Sequence, residues 1–169
     1  MAALAVKAMQ CIGKADGDPP LMGNAPLLAG KVPNKGDVVF KDANGKIDEA
    51  GADPANIAGI MAHEYNETFA GTFDGTADLL QSTASSDMIY FRAHADNRFE
   101  GSFSGVLART DEGKAYGIAK AAGGEWYIDN TDTTNTKVTI LKILNDDIKG
   151  LIGDTYARVV FRFSTGYQE

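Results

Sequence analysis

Apolar residues in this chain recur at every second position over short runs, the period of a β-strand with one buried face. In MIYFRAHA (Met88 to Ala95) the alternation puts Ile89, Phe91, Ala93 and Ala95 on one face. Tyr90, Arg92 and His94 fall on the other. In YARVVFRF (Tyr156 to Phe163), Ala157, Val159, Phe161 and Phe163 share a face opposite Tyr156, Arg158 and Arg162. KVTILKIL (Lys137 to Leu144) is apolar on nearly every position, as expected of a strand covered on both sides. GDVVF, IAGIMAHEY, KAYGIAK and EWYID read as further strands, and the polar clusters DEG, AAGG, DNTDTTN and NDD separate the later ones. The count comes to about eight to ten short strands, which predicts an all-β, barrel-like or sandwich domain.

FKDANGKIDEAGADP (Phe40 to Pro54) joins two of these strands and poses a question of chemistry. Asp42, Asn44, Asp48 and Glu49 surround a glycine, as oxygen ligands surround a calcium ion. The spacing is wrong for that purpose: counted from Asp42, the fifth position is Lys46, the glycine is fourth and the twelfth is Asp53. Asn44-Gly45 instead predicts a hairpin turn, because both residues accept positive φ. Asp53-Pro54 offers an N-cap and first-turn proline for one short helical turn. Asn66 to Ser86, rich in glycine, serine and threonine, is expected to hold short strands and a loop.

Residues 1–35 break the alternation. Pro19, Pro20, Pro26 and Pro33 fall here among Gly13, Gly17, Gly23 and Gly30, a poor composition for a regular central strand. Leu21, Met22, Leu27 and Leu28 are nevertheless apolar, which a solvated linker does not require. The segment is therefore expected to be an extended N-terminal arm lying on another surface, with residues 36–169 forming a single β domain.

Charge and cysteine content narrow the function classes. A net charge of −7 argues against a nucleic-acid backbone as main partner. Cys11 is the only cysteine, so no internal disulfide forms, and no histidine stands near it to activate a thiolate. MAALAVKAMQC lacks a basic leader and Lys7 interrupts its apolar run, so the expectation is a soluble protein made in the cytoplasm with no membrane partner.

Catalytic motifs fail one by one. His63-Glu64 is followed by Glu67 where a zinc helix needs histidine, and a His63/His94 pair with Asp96 has no support. Glu112-Gly113-Lys114 resembles the end of a phosphate loop, but Ala108 and Ala115 replace its glycine and hydroxyl. Neither a GxSxG elbow nor a GxGxxG turn is present. Asn66-Glu67-Thr68 matches a glycosylation triplet without a route to secretion. The expectation is no enzyme, no cofactor and no metal. Trp126 belongs in a core or interface, and Arg158 and Arg162, read as outward-facing beside Tyr156, suit a protein interface.

GDVVF, DPANIAGIMAHEY, YGIAKAAGGEWYIDNTDTTNTKVTILKIL and GDTYARVVFRF, in this order, resemble the head decoration (capsid cement) proteins of tailed phages. The resemblance spans about four-fifths of the chain through soft motifs, none of them catalytic. It implies a β-tulip or barrel-like domain that forms a homotrimer at capsid three-fold positions, with the arm lashed over neighbouring protein. The implied partners are the major capsid protein and the chain itself, on the exterior of the virion. Leu21, Leu27, Leu28, Tyr156, Arg158 and Arg162 are the expected interface residues. The alternative is a small β-barrel binding module or enzyme with a pocket near Trp126, Tyr127 and His94.

Overall fold

The computed structural model describes residues 5–51, 54–63, 72–73, 76–77, 87–144, 149 and 151–164. Thirteen strands occur among them: β1 (Gln10–Lys14), β2 (Met22–Pro26), β3 (Val38–Lys41), β4 (Ile47–Glu49), β5 (Gly59–Met61), β6 (Thr72–Phe73), β7 (Thr76–Ala77), β8 (Asp87–Arg92), β9 (Asn97–Phe103), β10 (Ala115–Lys120), β11 (Trp126–Asp129), β12 (Val138–Ile143) and β13 (Arg158–Phe163). One 3-10 turn, Arg109–Asp111, interrupts them. The domain is all-β, as the alternation predicts. The helical turn expected at Asp53, the Asn66 triplet, Glu64 and most of the stretch up to Ser86 lie outside the described residues.

Five strands close into a barrel in the order β9-β11-β10-β12-β13, with β13 returning to β9. Every pairing is antiparallel except β9 with β11. Closure leaves this ring without the unpaired edges that an open sheet would present. Inward positions alternate along each strand: Phe99 and Phe103, Trp126 and Ile128, Tyr116 and Ile118, then Val159, Phe161 and Phe163 are all buried. Three phenylalanines pack at the centre: Phe99 is stacked 5.7 Å from Phe161 and meets Phe163 edge-on at 5.1 Å. Gly101 sits among them because a Cβ there would stand 2.9 Å from the Phe161 ring.

The strand β12 differs from its expected two-sided burial. A bulge between Ile140 and Lys142 interrupts its register with β13. The extra residue turns Ile140 and Ile143 both inward and leaves Lys142 exposed. One face is covered, and the bulge explains why the sequence looks apolar on both.

A second sheet runs in the order β2-β8-β5-β3-β4. One of its faces contributes Val38, Ile60 and Ala93 to the barrel core. The other face builds a small core of its own from Ala25, Leu27, Val39, Ile47, Met61, Met88 and Tyr90. Here the alternation in MIYFRAHA needs correcting. Tyr90 is buried rather than outward, because this sheet is covered on both faces. The sheet curls until Leu27 bridges Ile47, and the Leu28 N–H donates to Ile47 C=O at 2.8 Å.

The β3–β4 connection is the hairpin that Asn44-Gly45 predicts, with Lys41 opposite Ile47. Only Gly45 takes positive φ, at 76°. Asp42 organises the turn: its carboxylate accepts the N–H groups of Asn44 and Lys46, each at 2.8 Å. These two hydrogen bonds hold the Asp42 carboxyl below its usual range, the bond from Lys46 contributing most. The aspartate thus serves backbone donors.

Residues 5–35 are woven into the domain. β1 pairs with β9, and β2 pairs with β8. Edge strands bond on one side only, so Pro26 at the end of β2 costs no ladder donor in the interior. Leu27 corrects its expected place: it is 3% exposed within the chain's own second core and is not available to a neighbour.

Candidate interaction surface

Arg158 lies on the side of β13 that the alternation directs away from the barrel, yet it is buried. The N-terminal segment covers it. Its guanidinium donates to the carbonyls of Lys7 and Ala8 at 3.1 and 3.3 Å, and its Nε donates to Glu100 Oε1 at 2.9 Å. Lys149 reaches the second Glu100 oxygen at 2.6 Å. Burial opposes the charge on Glu100, but the hydrogen bonds and charges of Lys149 and Arg158 outweigh it and hold the carboxyl below its usual range. The Lys7 N–H donates to Ser102 Oγ at 3.1 Å, and Met9 fills the adjoining core. Arg158 therefore anchors the chain's own N-terminal segment, which corrects its expected outward role.

The other expected interface residues take separate places in the fold. Leu21 and Leu28 are half-buried beside the second sheet. Asn97, fully buried, holds the Leu21 backbone at both ends: its Oδ1 accepts the N–H and its Nδ2 donates to the carbonyl, each at 2.8 Å. Tyr156 is half-buried on the barrel, at φ 61°, a conformation that a bulky side chain rarely adopts. Its ring meets Tyr127 edge-on at 5.8 Å. Arg162, opposite Thr139, is the arginine of the pair that does reach solvent.

None of the described cavities is lined by Trp126, Tyr127 or His94. Trp126 is in the barrel core, Tyr127 faces the opposite way, and His94 neighbours Asp96 at the β8–β9 turn. Described cavities lie elsewhere. A groove of about 290 Å³ runs along the edge of β2, lined by Met22, Gly23, Asn24, Asp87 and Ile89. A cleft of about 270 Å³ opens between the Asn34–Asp37 turn and the β10–β11 turn. Among the described residues, no group of three or more His, Cys, Asp or Glu side chains converges as a metal site. Burial pushes the Cys11 thiol up, away from the thiolate that a nucleophile needs.

Among the described residues, three of the five exposed large apolar side chains belong to the N-terminal segment. Ile12, Met22 and Val32 are 48%, 46% and 45% exposed, joined on the barrel side by Val106 and Leu151. The alternation could not single these out, because their exposure depends on which strand edges the segment occupies. Glu100 was legible as outward from its place between Phe99 and Gly101, but nothing local shows what covers it.

No family model, no curated protein and no solved structure matches the chain.

Proposed function

We propose that this chain is a structural virion protein that binds the outer surface of a tailed-phage capsid as a homotrimer and stabilises the shell, with no catalytic role. The exposed apolar side chains Ile12, Met22 and Val32 on a segment otherwise knitted into the fold carry this reading. Such side chains gain burial when a partner covers them, as at a docking surface. Covering each half-exposed side chain would contribute about 1 kcal/mol before ordering costs. That is weak for a single contact, but a shell offers many equivalent sites and a trimer engages several together. The motifs of the resemblance also fall on strands: GDVVF on β3, EWYID on β11, KVTILKIL on β12 and RVVFRF on β13. The partners in this reading are the major capsid protein and two further copies of the chain, and the working location is the virion exterior after synthesis in the host cytoplasm.

Light scattering on the purified protein, together with co-sedimentation with undecorated, expanded capsids, tests the reading. The expected outcome is a trimer that binds shells and raises their melting temperature. Ile12→Asp combined with Met22→Asp should weaken that binding without unfolding the domain. A monomer that neither binds nor stabilises any such shell would sink the proposal.

A further inference from the structure

Among the described residues, Asp37 is a buried carboxylate that no lysine or arginine ion-pairs. It is 5% exposed and lines the cleft of about 270 Å³ between the Asn34–Asp37 turn and the β10–β11 turn. The Asn34 N–H donates to Asp37 Oδ2 at 2.7 Å, and the Asp37 N–H returns to the Asn34 carbonyl at 3.0 Å. Those bonds position the carboxylate without neutralising it. Lys120 is near enough to be felt, but it is ion-paired with Glu49. Lys35, on the rim, is exposed and makes no ion pair among the described residues. Burial pushes the Asp37 carboxyl up, and the neighbouring charge of Glu49 adds to the effect against the opposing pull of Asn34 and Lys120. A buried carboxylate in this setting is costly unless a cation joins it.

The walls of the cleft suit such a cation. Ala8, Gly36, Gly123 and Gly124 contribute little or no side chain, and Glu125 stands at the β11 end as a second carboxylate. A four-carbon ammonium has five heavy atoms and, even at a water's liquid share of about 30 Å³ for each, fits the cleft of about 270 Å³ with room for water. Two carboxylates against glycine backbone match the tip of a long cationic side chain, which brings an apolar stem to lie along small residues.

We propose that this cleft is a receptor for one organic cation, the ammonium or guanidinium of a lysine or arginine side chain on a partner protein. The assignment stands apart from the capsid reading, since it concerns a site that small probes can enter. Charge complementarity favours it: the chain is acidic overall, at −7, and the partner supplies the missing positive group.

The test is a two-dimensional amide NMR titration with Nα-acetyl-lysine amide, Nα-acetyl-arginine amide, n-butylammonium chloride and calcium chloride. The expected result is saturable shifts at Gly36, Gly123 and Gly124 with a lysine or arginine amide, with Kd on the order of 1–10 mM, as befits a single charge pair. The amino-acid amides should bind more tightly than butylammonium. In Asp37→Asn the affinity should fall about tenfold or more while the melting temperature at neutral pH rises, because the neutral amide removes an uncompensated buried charge. Glu125→Gln should weaken binding less. Absence of shifts at those glycines, or shifts unchanged in Asp37→Asn, would overturn the site. Tighter binding of butylammonium would overturn its assignment to a protein side chain. Preferential response to calcium would replace the organic cation with a metal.

Discussion

Arg158 Nε meets Glu100 Oε1 at 2.9 Å, and each of the two side chains is 6% exposed. The pair joins adjacent barrel strands, and the guanidinium extends from it to the backbone of the N-terminal segment. Removing the arginine alone leaves Glu100 buried with Lys149 as its remaining partner. Arg158→Ala should therefore cost about 3 kcal/mol or more in urea unfolding, as breaking buried pairs does. A loss within about 0.5 kcal/mol, the usual effect of a surface substitution, would show that the pair is dispensable to the monomer.

Acid sensitivity follows from the same carboxylate. The folded-state pKa of Glu100 is depressed, so its contribution is present above the unfolded value and is lost as pH falls through the folded one. Thermal melts of the wild type should show this loss below about pH 4. Glu100→Gln should be less stable at neutral pH and should show a shallower acid limb. Parallel acid limbs in the two proteins would count against the assignment.

Tyr116 resists ionisation. Its hydroxyl donates to Asp111 Oδ1 at 2.8 Å, and burial first, then that hydrogen bond and the aspartate's charge, push its pKa up to about 12. A phenol raised above its unfolded value stabilises the fold fully below about pH 10 and loses that contribution as pH climbs towards the folded value. Spectrophotometric titration should show a tyrosine that ionises well above about pH 10. Asp111→Asn should bring it down.

The barrel core predicts a clear contrast along β13. Phe161 is fully buried against Phe99 and Phe163, so Phe161→Ala should lose about 3–5 kcal/mol. Arg162→Ala, one residue further, should change folding stability by no more than about 0.5 kcal/mol. Reversed effects would mean the strand faces are exchanged.

At the β3–β4 hairpin, Gly45 holds φ 76° with open space where a Cβ would stand. Gly45→Val meets no clash, so its cost is conformational, about 1 kcal/mol or more. Calcium should leave the melting temperature of the wild type unchanged, since Asp42 is engaged by Asn44 and Lys46. A calcium-dependent rise would restore a metal role for this loop.

Period-two alternation determined the all-β class and the inward face of β13 from Val159 to Phe163, and Asn44-Gly45 determined the hairpin, because these depend on residues close together in the chain. Burial of Arg158 was decided only in the tertiary structure. Its position on the outward face is local information, but the cover comes from Lys7 and Ala8, about 150 positions away. Tyr90 was displaced for a similar reason: its strand has a second core on the face that alternation assigns to solvent. The proline- and glycine-rich segment read as an arm because composition reports what a chain cannot pair with internally. It does not report the edge of β8 that accepts β2, nor the stretch of β9 from Asn97 to Glu100, beyond its pairing with β11, that accepts β1. The Asp37 cleft likewise forms where a turn before β3 meets the turn between β10 and β11, so neither segment alone reveals that a carboxylate is buried there without a counter-ion.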